Sequence, residues 1–157
     1  MSRADGLAEV RAIKVFPMLP LQMIHDLTWS DLPEPVQAQA RLCVLDLLGI
    51  AAGGATTALS AAIRDHAAED FSGPYPMALD GRGVSPVGYA VSLGMTIDAL
   101  DGHDGYNPAK GHVGCGLLPG TLAFALAENQ MDGEAFLTSI AIGYELGSRL
   151  ALSLIHI

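Results

Sequence analysis

The segment SPVGYAVSLGMTIDALDGHDGYNPAKGH, residues 85–112, joins a well-marked helix to a polar connection. Ser85 followed by Pro86 is typical of a helix N-terminus, because serine caps the first turn and proline suits its first position. The small and apolar residues that follow predict a helix that continues to about Leu100. The polar stretch Asp98–His112 therefore lies at the C-terminal end of this helix.

The flanking segments predict an all-α fold, a helical array largely without strands. Apolar residues recur at helical spacing in further segments, and clusters of glycine, proline and polar residues separate them. The additional helices are predicted over Leu21–Leu27, Pro35–Ala52, Ala58–Asp70 and Val113–Glu128, with a last one starting near Glu134. One short strand at most is expected, around Met77–Leu79.

Caps and apolar periodicity also predict where these helices begin and which side chains they bury. Ser30 or Asp31 is expected to cap the helix that starts at Pro35, and Asp132 the last helix. Gly53 is expected to follow the end of the Pro35–Ala52 helix. The expected core positions are Leu42, Leu45, Leu48 and Ile50 in the Pro35–Ala52 helix, and Leu137, Ile140, Ala141 and Tyr144 in the last helix.

Composition narrows the classes of partner. The formal net charge is −9, which argues against nucleic acid because binding to phosphates requires a basic surface. The run Leu42–Ala52 is too short to span a bilayer, and the run 135–157 carries Glu145 and Arg149 near its middle, so buried helices are favoured over membrane spans. The N-terminus lacks the pattern of a secretory signal. The two cysteines have no metal-type spacing, and we expect reduced thiols in the cytoplasm.

The stretch Asp98–His112 gathers proton donors, proton acceptors and a cation in a chain of which only 16% is charged. Three interpretations stay open on these residues alone: acid–base chemistry on a small anion, a metal site, and a solvated connection whose charges cap helix ends. The spacing matches no established zinc or calcium loop. The side chains concerned are Asp98, Asp101, His103, Asp104, Lys110 and His112.

Several blocks of the sequence, in the same order, resemble the N-terminal half of the MmgE/PrpD family. The likeness covers about residues 20–152. It rests on SDLPEPVQAQARLCVLDLLGIAAGGA (30–55), SPVGYAVSLGMTIDALDGHDG (85–105), KGHVGCGLLPGTLAFALAE (110–128) and GYELGSRL (143–150). An ordered set of blocks is far more specific than one short motif.

The resemblance implies a chemistry as well as a fold. The family includes 2-methylcitrate dehydratase, cis-aconitate decarboxylase and iminodisuccinate epimerase, which act on small polycarboxylates without a metal or an organic cofactor. The expected activity is that of a cofactor-independent lyase, similar to 2-methylcitrate dehydratase, that abstracts a proton beside a carboxylate. The alternatives are an isomerase or epimerase of the same family, and a helical fragment that serves only interaction or dimerisation.

Residue roles follow from the same resemblance. Asp101 matches the first aspartate of the family's acidic segment, Asp104 its closing aspartate, and His112 the histidine that opens the small-residue helix; these three are the expected catalytic residues. Lys110 and His103 fit the LDGHD…KGH variant of the motif and are expected to bind substrate. His112 is expected to be helped by the N-terminus of the helix that follows it.

The resemblance also implies a domain organisation. Family members are much longer chains, homodimers that pair a large helical domain with a smaller lid domain, and the active site lies between the two. We therefore expect residues 1–17 to be a poorly ordered leader and residues 18–157 to be a truncated helical domain that lacks the C-terminal lid. This chain alone is expected to be inactive, and the complete protein to be the enzyme.

Overall fold

The computed structural model describes residues 20–129 and 132–155, and this part of the chain is mainly helical. The all-α prediction is confirmed, and the observed helices lie within a few residues of the predicted ones. The predicted leader, residues 1–17, lies outside the described residues. In chain order the helices are α1 (Pro20–Asp26), α2 (Glu34–Gly54), α3 (Ala58–Asp70), α4 (Pro86–Asp98), α5 (Gly114–Glu128) and α6 (Gly133–Ile155).

Helix α4 lies at the centre of the array and packs against α2, α3 and α5. Its predicted start is confirmed: the Ser85 side chain accepts a hydrogen bond from the backbone N–H of Gly88 at 3.2 Å. Leu93 and Ile97 of α4 are buried. They share the main hydrophobic core with the fully buried residues Leu47, Leu118 and Ile140 from α2, α5 and α6. The core therefore reaches the last turn of α4, from which the polar connection begins.

The two short strands lie beside the position where one was expected. β1 (Ser72–Pro76) pairs antiparallel with β2 (Gly83–Val84). The expected strand at Met77–Leu79 is wrong, because these residues form the turn between the two strands. The Met77 carbonyl accepts a hydrogen bond from the N–H of Gly81 at 2.8 Å, and Leu79 has a φ of 61°. A left-handed residue and a backbone-bonded turn are incompatible with an extended strand.

The buried face of α2 differs from the predicted one. Leu42, Leu45 and Leu48 are exposed, by 57%, 67% and 47%, whereas Leu47 and Ala51 are buried and Ile50 packs at the edge of the core. The prediction of three core leucines is therefore wrong. The apolar residues of this helix are not confined to one face, and their periodicity therefore does not identify which face is buried. Small residues mark the true contact instead, because α2 approaches α4 closely at Gly54.

Helix α2 is also the one helix in the described part that is long and apolar enough to cross a membrane by length and composition. Within its most apolar window, 17% of the residues are buried. A core helix of a soluble protein passes the same test.

For α6, the predicted N-cap and the predicted buried stripe are both confirmed. The Asp132 carboxylate accepts a hydrogen bond from the N–H of Ala135 at 2.7 Å and caps α6. The buried stripe of α6 is centred on the fully buried Ile140. The expected cap of α2 is wrong: the Asp31 carboxylate binds back to the N–H of Thr28 at 3.0 Å and closes a separate 3-10 turn, Trp29–Asp31. Its acceptor atoms are therefore used before α2 begins.

The close approach of α2 and α4 gives a paired test. A Cβ atom added at Gly54 would lie far inside van der Waals contact with the Thr96 carbonyl oxygen, whereas one added at Gly49 would meet nothing. We expect Gly54→Ala to lower the free energy of unfolding by about 1–3 kcal/mol through overpacking. Gly49→Ala, in the same helix, should raise it by up to about 1 kcal/mol because alanine favours helix. Chemical denaturation of both variants checks this, and equal effects would contradict the packing described.

Candidate active site

The connection between α4 and α5 is folded back on itself by backbone geometry. Asp101 and Lys110 adopt left-handed conformations with φ of 47° and 52°. Between them lies a 3-10 turn, Asn107–Ala109, closed by a short bridge in which the Tyr106 N–H donates to the Gly111 carbonyl at 2.9 Å. The chain therefore returns towards the end of α4 before α5 begins.

This return brings two histidines into contact. The ring centroids of His103 and His112 lie 4.2 Å apart with an angle of 42° between the ring planes. The His103 side chain is fully buried, and that of His112 is 31% exposed. His112 thus faces solvent while its ring packs on a buried imidazole, an arrangement in which one ring can meet a ligand and the other supports it.

The hydrogen bond of His112 fixes which of its nitrogens can act as a base. Its Nδ1 lies 2.6 Å from the backbone carbonyl oxygen of Asp104. A carbonyl can only accept, so this bond requires a proton on Nδ1, and in the neutral ring the lone pair is on Nε2. That Nε2 lies 3.4 Å from the carboxylate of Asp101, whose side chain is 85% exposed. Asp101 is placed to accept a hydrogen bond once Nε2 carries a proton.

Asp104 contacts His112 through its backbone carbonyl and the start of α5 through its side-chain carboxylate. Its Oδ2 accepts a hydrogen bond at 3.2 Å from the N–H of Gly114, the first residue of α5. The expectation that the N-terminus of α5 assists at the site needs correction here, because a carboxylate of the chain already occupies this first N–H. Asp104 therefore orients His112 through its backbone and caps α5 through its side chain.

Tyr144 of α6 lies against the same carboxylate. A Cβ at Gly114 would collide with both Asp104 Oδ1 and the Tyr144 hydroxyl, so these groups converge on the start of α5. Burial raises the pKa of Tyr144 well above its ordinary value, and the nearby Asp104 carboxylate adds to the shift. Tyr144 stays a neutral hydroxyl, and the sequence singled it out only as a core residue.

Lys110 lies at the surface beside His112 and apart from the buried groups. Its Nζ donates to the Asn107 side-chain oxygen at 2.6 Å. Lys110, Asn107, Tyr106 and His112 all line one open pocket of about 220 Å³. The structure therefore brings the expected catalytic histidine and the expected substrate-binding lysine to one pocket. His103 lies outside this pocket, behind the ring of His112.

Cys115 joins Asp98 and His103 in a second cluster, a contact that sequence spacing did not predict. Asp98 at the end of α4, His103, and Cys115 in the first turn of α5 place their side-chain ligand atoms within 4.8 Å of one another. Burial raises the pKa of the Cys115 thiol, and the charges of Asp98 and Asp104 add to the shift. Cys115 and Cys43 are not joined by a disulfide in the structure, and both are partly buried.

A comparison with protein families covers nearly the whole described chain. Residues 21–155 match the family model described as the MmgE/PrpD N-terminal domain. The chain belongs to the MmgE/PrpD family. No curated protein and no solved structure matches. The suspected family is thus confirmed for this domain, and lyases are associated with the family. The roles of individual residues in this MmgE/PrpD domain stay predictions.

The environment of Cys115 predicts a raised thiol pKa in this MmgE/PrpD domain. In a Cys43→Ser background, alkylation of Cys115 by iodoacetamide should reach its half-maximal rate at a higher pH than alkylation of glutathione, because only the thiolate reacts. Asp98→Asn removes a neighbouring negative charge and should lower that midpoint pH while leaving it above the glutathione value, since burial is the larger cause. The measurement is the alkylation rate as a function of pH.

Asp70→Asn is the matched control for this titration, because Asp70 is an exposed carboxylate at the end of α3. It should leave the midpoint unchanged. A midpoint at or below that of glutathione in the Cys43→Ser protein would show that Cys115 is not buried among carboxylates.

Proposed function

We propose that this domain supplies one wall of the active site of a cofactor-independent lyase that acts on small polycarboxylates, in the manner of 2-methylcitrate dehydratase. The observation that carries the proposal is His112, whose Nδ1–H is bound to the Asp104 carbonyl and which lines the same pocket as Lys110. Family membership supports the reaction class, and the geometry supports the choice of base.

The reaction begins with a C–H bond next to a carboxylate, which is only weakly acidic. Breaking it needs a positioned base and groups that stabilise the enolate-like charge. In the proposed step, the C–H proton moves to Nε2 of His112 and the ring becomes an imidazolium. The Asp101 carboxylate, 3.4 Å from Nε2, stabilises the protonated ring. The electron pair left on carbon forms the double bond as the neighbouring C–O bond breaks. The leaving hydroxyl takes the proton from Nε2 of the His112 imidazolium and departs as water, which returns His112 to its neutral form.

Lys110 is proposed to hold a carboxylate of the substrate. Its ammonium group lies on a flexible stem at the pocket rim and is held there by Asn107 Oδ1. A substrate carboxylate can replace that amide oxygen as the acceptor, with the gain of an ion pair. Lys110 would then fix the substrate so that the acidic C–H bond faces His112. The net charge of −9 does not exclude this arrangement, because a local cation can hold a small anion in an acidic protein.

An epimerase of the same family is the second candidate, because it would begin with the same proton abstraction. Epimerisation by two bases needs acid–base groups on opposite faces of the substrate carbon. Here both imidazoles lie on the same side, with His103 buried behind His112. Of the two imidazoles, the one of His112 is accessible, and a two-base epimerase would need a further acid–base group on the opposite face of the substrate carbon.

The test uses the complete gene product that carries this domain, assayed in D₂O with 2-methylcitrate and citrate. The expected result is loss of water to an unsaturated acid, with the substrate pool remaining free of deuterium at early times. His112→Gln should lower kcat by about a hundred-fold or more, because loss of a general acid–base group has that effect. Mass spectrometry of substrate and product measures both quantities.

His66→Gln is the matched control, because His66 is an exposed histidine paired with Asp70 on α3. It should leave kcat within a few-fold of the wild type. Turnover of His112→Gln at that same level would remove His112 from the chemistry. Deuterium entering the substrate without loss of water would instead favour the epimerase.

A further inference from the structure

The cluster of Asp98, His103 and Cys115 is separate from the pocket at which His112 is proposed to act. The three residues come from the end of α4, the connection and the first turn of α5. One ligand atom from each lies within 4.8 Å of the others. Neither Asp98 nor Cys115 lines the pocket that contains Lys110 and His112. The pocket of Lys110 and His112 therefore does not account for the meeting of Asp98, His103 and Cys115.

The buried imidazole of His103 lacks the partners that a buried polar group requires. Its side chain is fully buried, and neither ring nitrogen makes a hydrogen bond to any residue in the described ranges. The nearest acceptor of opposite charge is Asp98 Oδ1, 3.7 Å from Nε2, which is beyond hydrogen-bond distance. An unpaired buried polar group costs about 1–3 kcal/mol. A ligand that binds the imidazole nitrogen would remove this cost.

The surroundings of His103 favour a cation as that ligand. The Asp98 carboxylate contributes a negative charge, Cys115 can contribute a second one as a thiolate, and Asp104 lies nearby. Imidazole, thiolate and carboxylate are together the ligand set that zinc and similar borderline metal ions prefer, whereas magnesium and calcium prefer oxygen alone.

We propose that Asp98, His103 and Cys115 form a binding site for a divalent transition-metal ion of the zinc type. In tetrahedral zinc sites, bond lengths of about 2.0–2.3 Å place neighbouring ligand atoms roughly 3.3–3.6 Å apart. The Asp98–His103 distance of 3.7 Å is slightly longer than this, and the distances to Cys115, which are within 4.8 Å, would shorten when an ion binds. Binding releases the Cys115 thiol proton to solvent, and the thiolate sulfur coordinates the ion.

The site would have three protein ligands and one position for water. Asp98 has a half-exposed side chain, which gives the fourth position access to solvent. A bound ion would fix the His103 ring, and the His112 ring packs on that ring at 4.2 Å. This inference is independent of the proposed lyase activity, because it rests on ligand atoms and not on substrate.

The experiment is a titration of the reduced, metal-free 157-residue chain with Co²⁺. Cobalt bound to a thiolate gives a sulfur-to-metal absorption band in the near ultraviolet. We expect this band to saturate at one Co²⁺ per chain and to disappear when Zn²⁺ is added. Cys115→Ser and His103→Gln should each abolish it, and Asp98→Asn should weaken Co²⁺ binding at least about ten-fold.

The chain has two cysteines, so Cys43→Ser is the matched control. A band that persists in Cys43→Ser must come from Cys115, and it identifies the thiol without disturbing the cluster. This remains informative if Cys115→Ser or His103→Gln loses helical circular dichroism. No thiolate band in the wild-type chain, a band lost in Cys43→Ser, or a band retained in folded Cys115→Ser would each overturn the proposal.

Discussion

The hydrogen bond from His112 Nδ1 to the Asp104 carbonyl oxygen ties the two ends of the site together. It spans eight residues of chain and closes the connection between α4 and α5 over the buried His103 ring. The Asp104 carboxylate continues the same link, because it caps α5 at Gly114. One residue thus positions the proposed base through its backbone and the helix that follows through its side chain. Without this link, His112 would be a surface histidine with no defined tautomer.

The order of the helices could be predicted because it depends on local signals. Ser85 and Pro86 specify the start of α4 wherever the helix packs, and Asp132 specifies the start of α6 in the same way. The candidate stretch was singled out because no other segment of the sequence gathers carboxylates, histidines and a lysine. Family resemblance then selected His112, Asp101 and Asp104 within it, and the family is confirmed over residues 21–155.

Features that depend on packing could not be predicted from one sequence. From Leu42 to Gly54, every position of α2 except Asp46 is apolar or small, and only packing against the neighbouring helices determines that Leu47 is buried and Leu45 exposed. Helix packing also determines which side chains meet at the candidate active site. Cys115 joins Asp98 and His103 because α5 crosses the end of α4, and Tyr144 reaches Asp104 from α6. Spacing along the chain does not predict these contacts between helices. The expected homodimer and cytoplasmic location stay predictions.

The central claim is that the fold holds His112 as the Nδ1–H tautomer with a free lone pair on Nε2. Two-bond ¹H–¹⁵N correlation spectra of the imidazole rings measure this directly, at a pH where the rings are neutral, with His112 assigned by its loss in His112→Gln. The account predicts a protonated, pyrrole-type Nδ1 and an unprotonated, pyridine-type Nε2 for His112. A protonated Nε2 with a bare Nδ1 would contradict it, because the bond to Asp104 could not then exist.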